Sequence, residues 1–292
     1  MIADNTTVGD LFTQWDVPWL VTSELVLAAL IYVRGWSRIR RTRPAQFPPW
    51  RLACFLGGIA TLFVAVASPL DTFSETLLFM HMAQHYVLMS VAPPLLIFGA
   101  PVVPMLRGLP RWFISMLRPL FVSGALPAIG RFLTRPRIAL SAMAIAYIGW
   151  HIPRAYEFAL ASENWHNFEH ACFFFTNLMF WWPVLRPWPW RSAQSRWIII
   201  PYLMLGDVVN TLVSAFLCFS GRLLYPSYNF SPRPFGLSAL DDQIAAGAFM
   251  WVCGTMVYLL PAVIMVLYML SPPRPGSLRA KQRAARLAHF SN

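Results

Sequence analysis

Seven apolar stretches, each near the roughly 20 residues that an α-helix needs to cross a hydrocarbon layer, govern what this 292-residue chain can fold into. Inside such a layer every backbone N–H and C=O must find its partner within the protein, which a helix achieves by itself and an isolated strand does not. The stretches run over 18–33, 51–70, 77–99, 138–152, 165–185, 197–220 and 243–270. They predict an all-α, polytopic membrane protein with seven transmembrane helices. Charged residues make up only 12% of the chain and the mean hydropathy is +0.52, against roughly 25% charged in an ordinary soluble domain. That excludes a typical soluble globule. Residues 111–132 are apolar too, but Arg118, Pro119, Gly124, Pro127 and Gly130 interrupt them. A central Arg costs roughly 2.5 to 3.5 kcal/mol on insertion scales, so this segment reads as interfacial and kinked. Pro93 and Pro94 fall within the third stretch and predict a kink or unwinding in its second half, with regular helix before it.

Orientation follows from the basic residues. Of 23 Lys and Arg, 20 fall in the loops between spans one and two, three and four, and five and six, or in the C-terminal tail. Only Arg154, Arg222 and Arg233 fall on the opposite side. The positive-inside rule then places the N-terminus outside and the C-terminus in the cytoplasm. Nine of the 12 acids land on the outer side or its border, and the other three, Glu24, Glu169 and Asp207, lie within spans. The net charge of +11 is therefore a topological label rather than the mark of a nucleic-acid partner. Residues 1–292 read as a single transmembrane domain, with 1–17 as an extracytoplasmic segment that lacks the features of a removable signal and 271–292 as a basic cytoplasmic tail.

The polar residues inside the spans carry the functional signal. His81 and His85 on span three, His151 at the end of span four, and His166 and His170 on span five all fall in the outer third of the layer. HMAQH and HNFEH each place two imidazoles at i and i+4, on one helix face. Imidazole is the commonest ligand for Zn, Cu, Fe and Ni, so the five histidines are candidate metal ligands. Glu169, Asp241, Asp242, Met80, Met82 and Met250 lie at comparable depth as possible ligands or supports, and thioether sulfur would favour Cu(I). Asp242 has an equally good reading as an N-terminal cap of span seven. Asp207 and Glu24 are candidates for an intramembrane polar path or for hydrogen bonds between helices. Cys54, Cys172, Cys218 and Cys253 show no Cys-x-x-Cys spacing and read as packing residues.

Four ordered motifs, HMAQHYVLMSVAPPLLIFGAP, WHIPRAYEFAL, WHNFEHACFFFTNLMFWWPV and DDQIAAGAFMW, spread over about residues 77–260, resemble the CtaG-type cytochrome c oxidase assembly factor family. The matching positions are His81, His85, Trp150, His151, Pro153, Tyr156, His166, Glu169, His170, Trp182, Asp242, Gln243, Gly247 and Trp251. The resemblance implies a seven-helix, multi-pass protein of the bacterial plasma (inner) membrane. Such a protein helps to assemble a haem-copper oxidase, with an oxidase subunit or other assembly factors as partners, copper as the metal handled and no turnover of substrate. Two other readings of the histidines stay open: a zinc-dependent membrane hydrolase with three His ligands and a carboxylate base, and a b-type haem protein with bis-His ligation between spans three and five.

Overall fold

The computed structural model describes residues 15, 17–189, 195–229 and 234–271. Among the described residues 84% are helical and no strand occurs. The helices in chain order are α1 (Trp19–Thr42), α2 (Pro49–Ala67), α3 (Pro69–Ser74), α4 (Leu78–Tyr86), α5 (Ala92–Phe98), α6 (Val102–Gly108), α7 (Arg111–Val122), α8 (Ala125–Leu133), α9 (Pro136–His151), α10 (Pro153–Leu160), α11 (Glu163–Leu185), α12 (Ile199–Phe219) and α13 (Ala239–Leu270). Prolines open α2, α3, α9 and α10, where a missing N–H costs nothing because the first helical donors have no intrahelical acceptor. Segments 1–14, 16 and 272–292, which include most of the expected outer N-terminal segment and basic tail, lie outside the described residues, as do Arg191 and Arg233.

Among the described residues four helices are long and apolar enough to cross a membrane: α1, α2, α12 with its leading turn, and α13. Two bent pairs raise the number to six. One is the Leu78–Phe98 segment with α6, bent by 70°, and the other is α7 with α8, bent by 73°. The second bend falls at Gly124, whose φ of 74° is left-handed backbone that glycine adopts without strain. Neither α7 nor α8 has a buried residue. Two of the seven sequence-derived spans fail the simple test. Helix α9 has only 16 residues, and α11 carries Glu163, Asn167, Glu169 and Asn177 among its apolar residues. Its polar groups point inward, where Glu169 and Asn177 are buried, so overall hydropathy misjudges it.

The third span is continuous but not uniform. Between α4 and α5 the backbone widens into a π turn, Val87–Val91, closed by Ala92 N–H donating to the Val87 carbonyl. Pro93 has no N–H for the Met89 carbonyl one turn earlier, and the Trp181 indole N–H donates to that oxygen instead, at 3.2 Å. The expected disturbance therefore lies one turn ahead of the prolines, and the helix bearing His81 and His85 stays regular.

Two apolar clusters hold the bundle. The larger joins α4, α9, α11, α12 and α13 around Met143, Phe173, Phe180, Leu203 and Leu217. Asn210 sets their register: its side chain accepts from the Tyr147 hydroxyl at 2.9 Å and donates to the Met250 carbonyl at 3.2 Å. The smaller cluster packs α1 and α2 on the segment that ends at Ala100, through Tyr32, Phe47, Phe55 and Leu96. There α1 and α6 cross at a pair of glycines. A Cβ at Gly35 would lie 1.8 Å from the Pro104 carbonyl oxygen, and one at Gly108 would lie 1.8 Å from that of Ile31. Small residues at such crossings let backbones approach in lipid, where packing rather than the hydrophobic effect drives association. Leu30, Leu212, Val252 and Ile264 face outward, as lipid-facing residues should.

Candidate metal centre

The site is built where α4 faces α11 through their histidine side chains, just beyond the π turn and α5 that pack on α11. The first N–H groups of α4 have no intrahelical acceptor, and Leu77 gives no side-chain cap. Asp242 of α13 supplies one from 164 residues away: its carboxylate accepts from Leu78 N–H at 2.9 Å and from Phe79 N–H at 3.1 Å. The sequence offered Asp242 as a cap for its own helix. That role belongs to Ser238, which accepts from Asp241 N–H at 3.1 Å, and Asp242 caps α4 instead. An anion at a helix N-terminus is favoured by the macrodipole and by the free donors together.

One turn into α4, His81 and His85 project towards His166 and His170 of α11. The four residues offer ligand nitrogens that all lie within 4.8 Å of one another. His81 Nε2 and His85 Nε2 are 2.9 Å apart, and the ring centroids of His81 and His166 are 5.0 Å apart, those of His85 and His170 5.1 Å. His81, His85 and His170 are buried, and His166 is half-buried. The i, i+4 spacing of each pair was legible in the sequence; the pairing of α4 with α11 was not.

The fifth histidine stands apart. His151 is buried, but its Nδ1 lies 2.7 Å from the Tyr147 carbonyl one turn back on α9, and its ring packs against Tyr147 and Phe173. It does not enter the four-histidine group. Because a carbonyl only accepts, Nδ1 carries the hydrogen and the Nε2 lone pair remains, buried and without a partner.

Two tyrosines that the sequence did not single out organise the site. Tyr228 lies in the 220–229 connection between α12 and α13, and its hydroxyl donates to the Ser74 carbonyl at 3.1 Å while lying 2.8 Å from His81 Nδ1 and 3.1 Å from the Tyr156 hydroxyl. The hydroxyl has one proton, and Ser74 takes it. With that proton engaged by Ser74, the Tyr228 oxygen accepts from His81 Nδ1–H, and the His81 Nε2 lone pair faces His85 Nε2 at 2.9 Å. Burial pushes the Tyr228 hydroxyl above its ordinary pKa and keeps it protonated. Tyr225 donates to the His151 carbonyl at 2.8 Å. Gln243 pins the start of the connection by accepting from Leu224 N–H at 2.7 Å, and the Glu157 carboxylate holds Ser227 through its N–H at 3.1 Å and its hydroxyl. A Tyr in an apolar loop has no local signature, so only its contacts reveal it.

The other candidates are scattered. Glu169 is fully buried beside His170, and neither carboxylate oxygen has a hydrogen-bond partner. Asp241 is exposed and pairs with the Ser238 hydroxyl at 2.5 Å. Met82 and Met250 belong to the large apolar cluster, and Met80 is half-buried. Asp207 is half-buried on α12 with Oδ1 unpartnered, and Glu24 is exposed on α1. The four free cysteines are partly buried, without a disulfide among them.

The donor set suits a metal ion. Four imidazoles converge and the Nε2 atoms of His166 and His170 have no hydrogen-bond partner, while Glu169, adjacent to His170 in the chain, is buried with both carboxylate oxygens unpartnered and lies outside the four-histidine group. A buried polar group left unsatisfied costs about 1 to 3 kcal/mol, more if charged, so a cation would relieve several penalties at once. A cavity of about 350 Å³ reaches the group from the end of the bundle that carries the 220–229 connection. Its walls include Glu75, His81, Glu163, His166, Ser227 and Tyr228.

Comparison with known proteins points one way. A family described as cytochrome c oxidase caa3 assembly factor matches residues 30–271. Uncharacterised proteins of Mycobacterium bovis and Mycobacterium tuberculosis are each 24% identical over 283 residues, and one of Mycobacterium leprae is 25% identical over 280. These alignments cover 89% of this chain but only 40%, 40% and 39% of the relatives, so the chain spans about two-fifths of their length. No solved structure matches.

Proposed function

The chain belongs to the cytochrome c oxidase caa3 assembly factor family, and on that premise we propose that it binds copper at the four-histidine site and delivers it to, or holds it for, an oxidase subunit during assembly. The single observation that carries this reading is the convergence of His81, His85, His166 and His170 within 4.8 Å from two neighbouring helices. An assembly factor needs to bind and release its cargo, and neutral imidazoles do so without the near-irreversible grip of thiolates. The positive-inside distribution supports a site at the outer face of a bacterial plasma membrane, and the crossings number seven when α9 and α11 are counted with α1, α2, the Leu78–Phe98 segment, α12 and α13 and the bent α7–α8 pair is taken as interfacial.

The test is elemental analysis of protein purified without added metal. About one copper per chain is expected, lost in His81→Ala and in His170→Ala but retained in His151→Ala, alongside loss of oxidase activity in cells lacking the protein. Stoichiometric zinc instead of copper would overturn copper delivery. Zinc would favour a second reading, a membrane hydrolase, which the adjoining cavity supports by offering room beside His166. Haem fits less well. The imidazoles of α4 and α11 approach to centroid distances near 5 Å, which leaves no slot for a planar macrocycle between them.

A further inference from the structure

We propose that the cavity beside the histidines is the vestibule through which the ion is exchanged, and that Glu75 and Glu163 at its mouth capture the cation before it passes to His166 and then His81. This rests on the metal-binding reading above and adds a route and an order to it.

The two histidine pairs are unequal in access. Of the four, His81 and His166 line the cavity and His85 and His170 do not; His81, His85 and His170 are buried, and His166 alone is half-buried. His166 is the half-buried member, and its Nε2 has no hydrogen-bond partner. An ion arriving from this side meets His166 first.

The wall is chemically biased towards cations. Among the described residues neither Lys nor Arg lines it, and Glu75 and Glu163 are both exposed carboxylates. The two serine hydroxyls give their protons elsewhere: Ser74 to the Asp71 carbonyl at 2.7 Å, and Ser227 to the Glu157 carboxylate. Each serine oxygen is left with only lone pairs to offer. The lining thus pairs acceptor oxygens at the outer end with imidazole nitrogen at the inner end. That grades from the oxygen ligands a hydrated ion already has to the softer ligands that copper prefers. At roughly 30 Å³ per water, a cavity of about 350 Å³ holds an ion with its hydration shell. Clefts lined by one sign of charge focus the field and raise association rates by roughly ten- to a thousandfold, with strong dependence on ionic strength.

The experiment is stopped-flow mixing of the purified full chain with Cu²⁺, read by quenching of its tryptophan and tyrosine emission, at low and high salt. In the double variant Glu75→Gln/Glu163→Gln the association rate should fall about tenfold at low salt. Most of the wild-type salt dependence should vanish, while the dissociation rate changes by less than about threefold. Association as fast and as salt-dependent as in the wild type overturns the vestibule and leaves the histidine site standing. A large rise in the dissociation rate alone also overturns it, because the carboxylates would then act on the bound ion rather than on its capture. If the wild type binds no metal, the metal-binding reading itself fails, and the vestibule with it.

Discussion

Asp242 on α13 accepts the first two backbone N–H groups of α4, from Leu78 and Phe79, and so fixes the start of the helix that carries His81 and His85. The carboxylate is 1% exposed. In Asp242→Ala a buried donor on Leu78 and a partly buried one on Phe79 lose their acceptor, at about 1 to 3 kcal/mol for a fully buried group. Thermal unfolding in detergent should show a loss of several kcal/mol, and Asp242→Asn, which keeps one acceptor oxygen, should lose less. Equal losses in the two variants would mean that the double acceptance is not what Asp242 contributes.

Tyr228 selects the His81 tautomer. Tyr228→Phe preserves the ring packing and removes the acceptor of Nδ1–H, so His81 can carry its hydrogen on Nε2, where it blocks ligation. Loss of such an outer-shell partner typically costs 10- to 100-fold in metal affinity. Competition against a chromophoric copper chelator measures it. Tyr225→Phe, whose bond goes to the His151 carbonyl, serves as the comparison and should cost little. Similar affinity losses in both would reduce Tyr228 to a packing residue.

Glu169 separates stability from binding. Its two carboxylate oxygens are buried without partners, so Glu169→Gln removes a group that destabilises the metal-free protein. The metal-free variant should gain about 1 to 2 kcal/mol, while the extra stability conferred by added metal shrinks. Opposite signs are the signature, and calorimetry with and without metal reads them. A less stable metal-free variant with an unchanged metal response would make Glu169 purely structural.

The α1–α6 crossing is distant in kind from the site. A methyl group at Gly35 or Gly108 would meet a carbonyl oxygen at 1.8 Å, so Gly35→Ala and Gly108→Ala must push the helices apart, at about 1 to 3 kcal/mol. Unfolding temperature should fall while metal stoichiometry holds, because that crossing belongs to the smaller apolar cluster. Loss of metal in either variant would show that the two clusters are energetically coupled.

The helical class, the positions of the apolar segments and the two His-x-x-x-His faces were legible in the chain because each depends on neighbours within one or two turns. Hydropathy needs a window, and i, i+4 pairing needs one helix. The disturbance near Pro93 was foreseen, but its placement one turn earlier depended on which carbonyl the proline leaves unpaired and on Trp181 reaching it from α11.

What the sequence by itself determined is thus an all-helical chain with two His-x-x-x-His faces and a fifth histidine on a third helix. Tertiary structure decided which of them meet. Of the five imidazoles expected together, four converge, because α4 and α11 turn their histidines to each other while His151 spends its Nδ1 on its own helix. It also decided that Asp242 serves a helix 164 residues away and that Tyr228, unremarkable in its loop, holds His81. Such relations depend on helix rotation and packing. No periodicity within one segment encodes them, since they are set only when several helices bury their polar groups together.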